Sequence, residues 1–104
     1  MQDPTFWILV SLLQGEAHGY AITQRTLELS GELKLSAGTL YTALERLLGE
    51  GLIEKTREAI ENGRARHYYE LRPEGRRAIE AEIKRRDTVS RIAKAQLKLS
   101  GGVA

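Results

Sequence analysis

The feature that most constrains this chain is Asn62-Gly63, set between two runs of strand-forming residues. Both residues accept a positive φ at low cost, and the pair favours a tight hairpin turn whose twist suits its flanking strands. Leu52 to Glu58 alternates in character before it. Arg64 to Leu71 returns after it, with Tyr68 and Tyr69 suited to a pleated surface. The pattern predicts a two-stranded ribbon with a basic tip.

The segments around the ribbon read mainly as helices. Asp3-Pro4 opens the first, with Asp3 as N-cap and Pro4 at the first helical position, where a missing N–H costs nothing. Phe6 to Leu13 is apolar on nearly every side and Gly15 supplies a stop. A helix of that kind must be covered all round. In 104 residues, a second subunit is the natural cover. Phe6, Trp7, Leu9 and Val10 are therefore expected at a dimer interface. The apolar run is too short to span a bilayer. Asp3, with no basic residue before it, argues against a secretory leader.

His18-Gly19-Tyr20 starts a second helix ending near Ser30-Gly31, with Ile22, Thr26 and Leu29 on one face. Glu32 to Leu35 reads as a short strand. Ser36 is a strong N-cap for a third helix. At about 100° per residue, Leu40, Ala43, Leu44, Leu47 and Leu48 fall on one side of it. Gly38, Thr39, Tyr41, Thr42, Glu45 and Arg46 fall on the other. Pro73 begins a last helix running to about Leu99. Ile79, Ile83, Ala93 and Leu97 form an apolar surface on it, widened by Val89, Ile92 and Leu99. That is more than one neighbour requires, so Ile83, Val89, Ile92 and Leu97 join the expected dimer interface. Arg85-Arg86 and the stripe Glu80, Lys84, Asp87, Arg91, Lys94 and Lys98 read as a solvated face.

The fold class is therefore mainly α with a small β-wing. A winged helix-turn-helix domain occupies residues 1–72, a dimerisation helix 73–100 and a flexible tail 101–104. In this arrangement the third helix can enter the major groove of double-stranded DNA. Gly38 permits close backbone approach. Thr39 and Thr42 can donate, accept or touch a thymine methyl, and Tyr41 offers a hydroxyl. The helix N-terminus attracts a phosphate, with Lys34 just before it. Arg46 can reach phosphate or guanine. Arg64 and Arg66, on the wing, can enter the minor groove or clamp the backbone.

Composition limits the alternatives. The formal charge is +2, so basicity matters by its placement rather than its total. There is no cysteine, which excludes disulfides, thiol catalysis and zinc fingers and fits a reducing cytoplasm. His18 and His67 stand in separate elements, His18 as a structural cap at a helix start. No nucleophile–base set, paired carboxylate site, metal spacing or phosphate-cradling glycine loop stands out. An enzyme is not expected, nor is a cofactor. The competing reading is a winged-helix module that binds another protein, since fold does not fix function.

Larger blocks carry a family likeness. His18-Gly19-Tyr20-Ala21-Ile22, Ser36-Ala37-Gly38-Thr39-Leu40-Tyr41-Thr42-Ala43-Leu44, Glu50-Gly51-Leu52-Ile53, Arg64 to Leu71 and Pro73-Glu74-Gly75-Arg76-Arg77 resemble the PadR family of regulators. The resemblance implies a winged domain followed by a dimerisation helix, acting as a repressor on a roughly palindromic operator in the cytoplasm, on the nucleoid. It implies that Tyr20, Ser36, Gly38, Thr39, Tyr41, Arg64 and Arg66 lie against DNA, and that an unidentified small molecule can relieve repression. Thr42 stands where proline is common in the family, and Arg72 replaces a hydroxyl N-cap. Some short relatives hold a flat aromatic drug between tryptophans. Here the sole tryptophan, Trp7, lies in the first helix and the last helix has no aromatic residue.

Overall fold

The computed structural model describes residues 1–101. Of the tail expected at 101–104, only Gly101 falls among them, in a turn. Residues 102–104 lie outside.

Helix α1 spans Asp3–Ser11 and continues into a 3₁₀ turn, Leu12–Gln14. It starts one residue earlier than expected. Gln2 holds the N-cap position and Asp3 lies inside the first turn. The Asp3 carboxylate is engaged elsewhere, accepting from Arg86 Nη2 at 2.9 Å. Phe6, Ile8, Leu9 and Leu12 are buried against the chain's own α-helices. Phe6 and Leu9, expected at a subunit interface, are thus core residues of the single chain. Trp7 and Val10 remain half-buried. The reason is that this helix is central: it packs on three other helices of the domain at once.

Strand β1 is only Ala17–His18, and α2 spans Gly19–Ser30. Here lies a second correction. Glu32 lies in a bend and Leu33 to Leu35 form no regular element; the short strand is β1 instead. The sheet edge it joins belongs to the wing, with Ala17 opposite Tyr69 and His18 opposite Tyr68. His18 caps α2, its Nδ1 accepting from the Ala21 N–H at 3.2 Å. Gly31, at φ +81°, ends the helix in the left-handed conformation that suits glycine. Ile22 and Thr26 are buried, but Leu29, one turn further on, is exposed.

Helix α3 covers Ala37–Gly49. Ser36 Oγ accepts from the Thr39 N–H at 3.1 Å, as an N-cap should. Leu40, Ala43, Leu44 and Leu47 are buried, and Gly38, Thr39, Tyr41, Thr42, Glu45 and Arg46 are exposed, as the helical period requires.

Strands β2, Ile53–Glu61, and β3, Arg64–Leu71, form the wing, and the sheet order is β1-β3-β2, all antiparallel. Asn62 at φ +51° and Gly63 at φ +75° make the turn. Two positive φ values in a two-residue loop are the signature of the tight hairpin expected from sequence. The register shifts once, between Lys55 and Arg57, so Thr56 is the extra residue of a β-bulge.

Helix α4, Pro73–Leu99, follows without a side-chain N-cap at Arg72. Its first turns dock on the domain through Gly75, Ile79 and Glu82, all buried. Gly75 sits so close to the Leu52 carbonyl that an added Cβ would come within 2.2 Å of its oxygen. Beyond Thr88 every residue to Ser100 is exposed. The helix projects from the domain, giving overall extents of 61 × 26 × 21 Å.

Candidate nucleic-acid interface

The exposed face of α3 is flanked by two depressions, and the expected contact residues divide between them. On one side lies a cleft of about 320 Å³, lined by Gly19, Tyr20, Tyr41, Arg64 and Arg66 among others. On the other, a groove of about 310 Å³ is lined by Gly38, Thr39, Thr42 and Arg46, with Thr5 from α1. Lys34 and Ser36 are exposed just before the helix. The sequence-derived set is therefore gathered around one helix and the adjoining wing.

Close packing sets the cleft. A Cβ at Gly19 would lie 2.8 Å from the Tyr41 hydroxyl, so the start of α2 and the middle of α3 approach through the gap that glycine leaves. Tyr20 and Tyr41 are 65% and 55% exposed. Two aromatic rings carrying hydroxyls are thus held at the surface, beside Arg64, with no apolar cover.

The three arginines in the expected set differ. Arg64 is exposed, and its side chain forms no hydrogen bond or ion pair among the described residues. Arg66 is half-buried and occupied: Nη1 lies 3.2 and 3.1 Å from the two ring nitrogens of His18, and Nε lies 3.5 Å from Glu61. Arg46 donates to the Thr5 hydroxyl and lies 3.7 Å from Glu50, tying α3 to α1. Arg66 and Arg46 thus already hold intramolecular partners, and Arg64 is the unengaged arginine of the three.

The neighbourhood of His18 favours its neutral ring. Burial first, then the nearby guanidinium of Arg66, pushes its pKa below the usual imidazole value, with Glu61 opposing. A neutral ring is what the N-cap needs, because Nδ1 must keep its lone pair to accept from Ala21. Glu61 is lowered chiefly by the hydrogen bond from Tyr68, 2.6 Å away, which in turn raises the phenol.

Sequence reasoning missed several supporting residues. Arg25 donates to the carbonyls of Ser11, Gly15 and Glu16 at 3.2, 2.8 and 3.3 Å, satisfying the end of α1 and its turn. Nothing in the local pattern marks it. Glu82 is 5% exposed and is held by both Arg85 and Arg86. This corrects the reading of Arg86 as part of a solvated face; Arg85 is exposed but ion-paired. The signal was present: Glu82 is three residues from Ile79 on the core stripe, with arginines three and four residues later.

Among the described residues no helix is long and apolar enough to cross a membrane, and no cluster of three His, Asp or Glu side chains could hold a metal ion.

A helix pair, a capped third helix with a polar outer face and a hairpin presenting Arg64 beside it define a winged helix-turn-helix regulator. The chain belongs to the PadR-like family of transcriptional regulators, whose family model matches residues 8–81. That family consists of regulators and not enzymes. The transcriptional regulator Rv3488 of Mycobacterium tuberculosis is 40% identical over 73 residues, covering 69% of this chain and 64% of that protein. A transcriptional regulator from Clostridium thermocellum superposes with a TM-score of 0.76 at 26% identity, covering 88% of this chain and 89% of that one. Bacillus subtilis PadR in complex with operator DNA superposes with a TM-score of 0.69 at 26% identity, covering 79% and 48%. The chain spans between 22% and 64% of the length of the curated relatives it matches.

Proposed function

We propose that this chain is a sequence-specific DNA-binding regulator, a repressor that acts as a dimer on a two-fold symmetric operator. The observation that carries the reading is the outer face of α3. Gly38, Thr39, Tyr41 and Thr42 are all exposed at its N-terminal half, next to an unengaged Arg64 on the wing. Base edges in the major groove are read by the N-terminal residues of such a helix. Arg64 adds a backbone or minor-groove contact.

Dimerisation supplies the two-fold symmetry. The projecting part of α4 exposes Val89, Ile92 and Leu97 by 52%, 57% and 59%, and Ile83 nearby by 47%. Such a stripe on a helix with no neighbour is the surface a second copy would cover. Trp7 and Val10, half-buried on α1, adjoin the same reading; Phe6 and Leu9 have no part in it. Relief by a small molecule belongs to this reading too. Such a regulator works in the cytoplasm, on the nucleoid.

The test is retention of genomic DNA fragments at two salt concentrations. The reading expects selective retention of fragments sharing a symmetric site, weakened steeply by salt because bound phosphates release counterions. A protein that retains no fragment at either salt, yet captures a partner insensitive to salt, is a protein-interaction module instead.

A further inference from the structure

A chain of polar contacts fastens the wing to the body of the domain, and it starts at a residue outside the recognition set. Glu16, between the 3₁₀ turn and β1, accepts from Thr56 Oγ1 at 2.7 Å and from Arg57 Nε at 2.7 Å. Adjacent residues of a regular strand point to opposite faces. Thr56 and Arg57 both reach one carboxylate because the bulge lies between Lys55 and Arg57. The Arg57 guanidinium then lies 3.7 Å from the centroid of the Tyr68 ring. Tyr68 donates to Glu61, Glu61 lies against Arg66, and Arg66 meets the ring of His18. His18 caps α2. The path leaves the backbone at Glu16, crosses both wing strands and returns two residues later.

Isolated exposed ion pairs contribute little. This one differs in that two donors from one bulge converge on a single carboxylate, whose pKa is lowered by the Thr56 hydrogen bond and then by Arg57. Glu16 grips the wing at its base, at Thr56 and Arg57, level with the Tyr68 and Tyr69 that pair with β1, while nearer the tip Arg66 reaches the His18 ring and Arg64 to His67 have no strand neighbour on that edge.

We propose that Glu16 is the positioning residue of the wing, fixing the angle at which Arg64 is presented beside α3. Its consequence for DNA rests on the reading of α3 and the wing as a DNA-binding surface. Glu16 itself touches no base or phosphate in this account.

The experiment has an arm without DNA and an arm with it. In Glu16→Ala, hydrogen exchange of the wing amides is expected to quicken by about tenfold while the α3 core amides stay protected. The paired exchange Glu16→Arg with Arg57→Glu should restore wing protection, which a merely destabilising change would not. Unaltered wing exchange in Glu16→Ala overturns the proposal. With a retained genomic fragment as probe, Glu16→Ala should weaken binding about as much as Arg64→Ala, and the double variant by no more than about twofold beyond either, because coupled residues do not add. Full additivity of the two losses overturns it as well. A parent protein that binds no DNA defeats the functional reading alone, since the exchange arm still decides whether Glu16 sets the wing.

Discussion

Arg86 donates through Nε to the carboxylate of Glu82 at 2.8 Å, while its guanidinium lies 4.1 Å from the centroid of the Phe6 ring. One side chain thus covers the core aromatic of α1 and neutralises a buried acid of α4. Arg85 completes the pairing at 2.7 Å. These hydrogen bonds, from Arg85 and then Arg86, draw the Glu82 pKa down from 4.5 to about 2. A depressed carboxylate stabilises the fold above its unfolded pKa and loses that contribution as pH falls through its folded value. Thermal melts should therefore show a loss of stability between pH 4.5 and about 2. Glu82→Gln should be less stable at neutral pH and should flatten that acid limb. An acid limb unchanged in the variant would remove Glu82 from the account.

Gly75 gives a second prediction. Its missing Cβ leaves room for the Leu52 carbonyl, and an added methyl would also come within 2.6 Å of the Leu71 side chain. Backbone cannot yield as a flexible side chain can. Gly75→Ala should cost about 1–3 kcal/mol, as overpacking does, read from urea denaturation. Gly38→Ala is the contrast, since nothing lies within 4 Å of a Cβ there. It should leave stability unchanged or slightly raised and still weaken DNA binding, because the space is empty only in the free protein.

The two wing arginines should behave differently. Arg64 has no partner among the described residues and is free to neutralise a phosphate. Arg64→Ala should reduce the slope of log affinity against log salt by about 0.9 per protomer, about 1.8 for the dimer. Arg66, held by His18 and Glu61, should when changed to Ala weaken binding with the slope retained. Equal slope changes in the two variants would mean that Arg66 leaves its partners to meet DNA.

Dimerisation is tested on the projecting helix. Ile92 is 57% exposed, far from the packed end of α4. Ile92→Asp should sediment as a monomer with its melting transition otherwise intact at high concentration. A variant that still sediments as a dimer would move the interface away from this stripe.

What the sequence disclosed was what local rules govern. Ser36 as a cap, the split faces of α3, the Asn62-Gly63 turn and the span of α4 all follow from periodicity and turn chemistry. What it hid depended on distant partners. Asp3 was expected to cap α1 and instead meets Arg86, 83 residues away in the chain. Phe6 and Leu9 were expected to await a second subunit because a helix apolar all round gives no sign of how many neighbours its own domain supplies. Glu32 to Leu35 was expected as the short strand, yet the strand went to Ala17–His18, because pairing depends on which segment reaches the free edge of β3. The candidate interface divides in the same way. Thr39 and Tyr41 are legible from the helical period. The engagement of Arg66 and of Arg46 with Thr5 is not, since these partners come from α1, β1 and the opposite wing strand.

The central claim is that α3 and the wing bind DNA as a symmetric pair. Hydroxyl-radical footprinting of a retained fragment measures this most directly. The account predicts two equivalent protected patches about one helical turn apart, roughly 10–10.5 base pairs between centres or a multiple of that, with flanking minor-groove protection that disappears in Arg64→Ala. A single asymmetric patch, or protection spread evenly along the duplex, would contradict it.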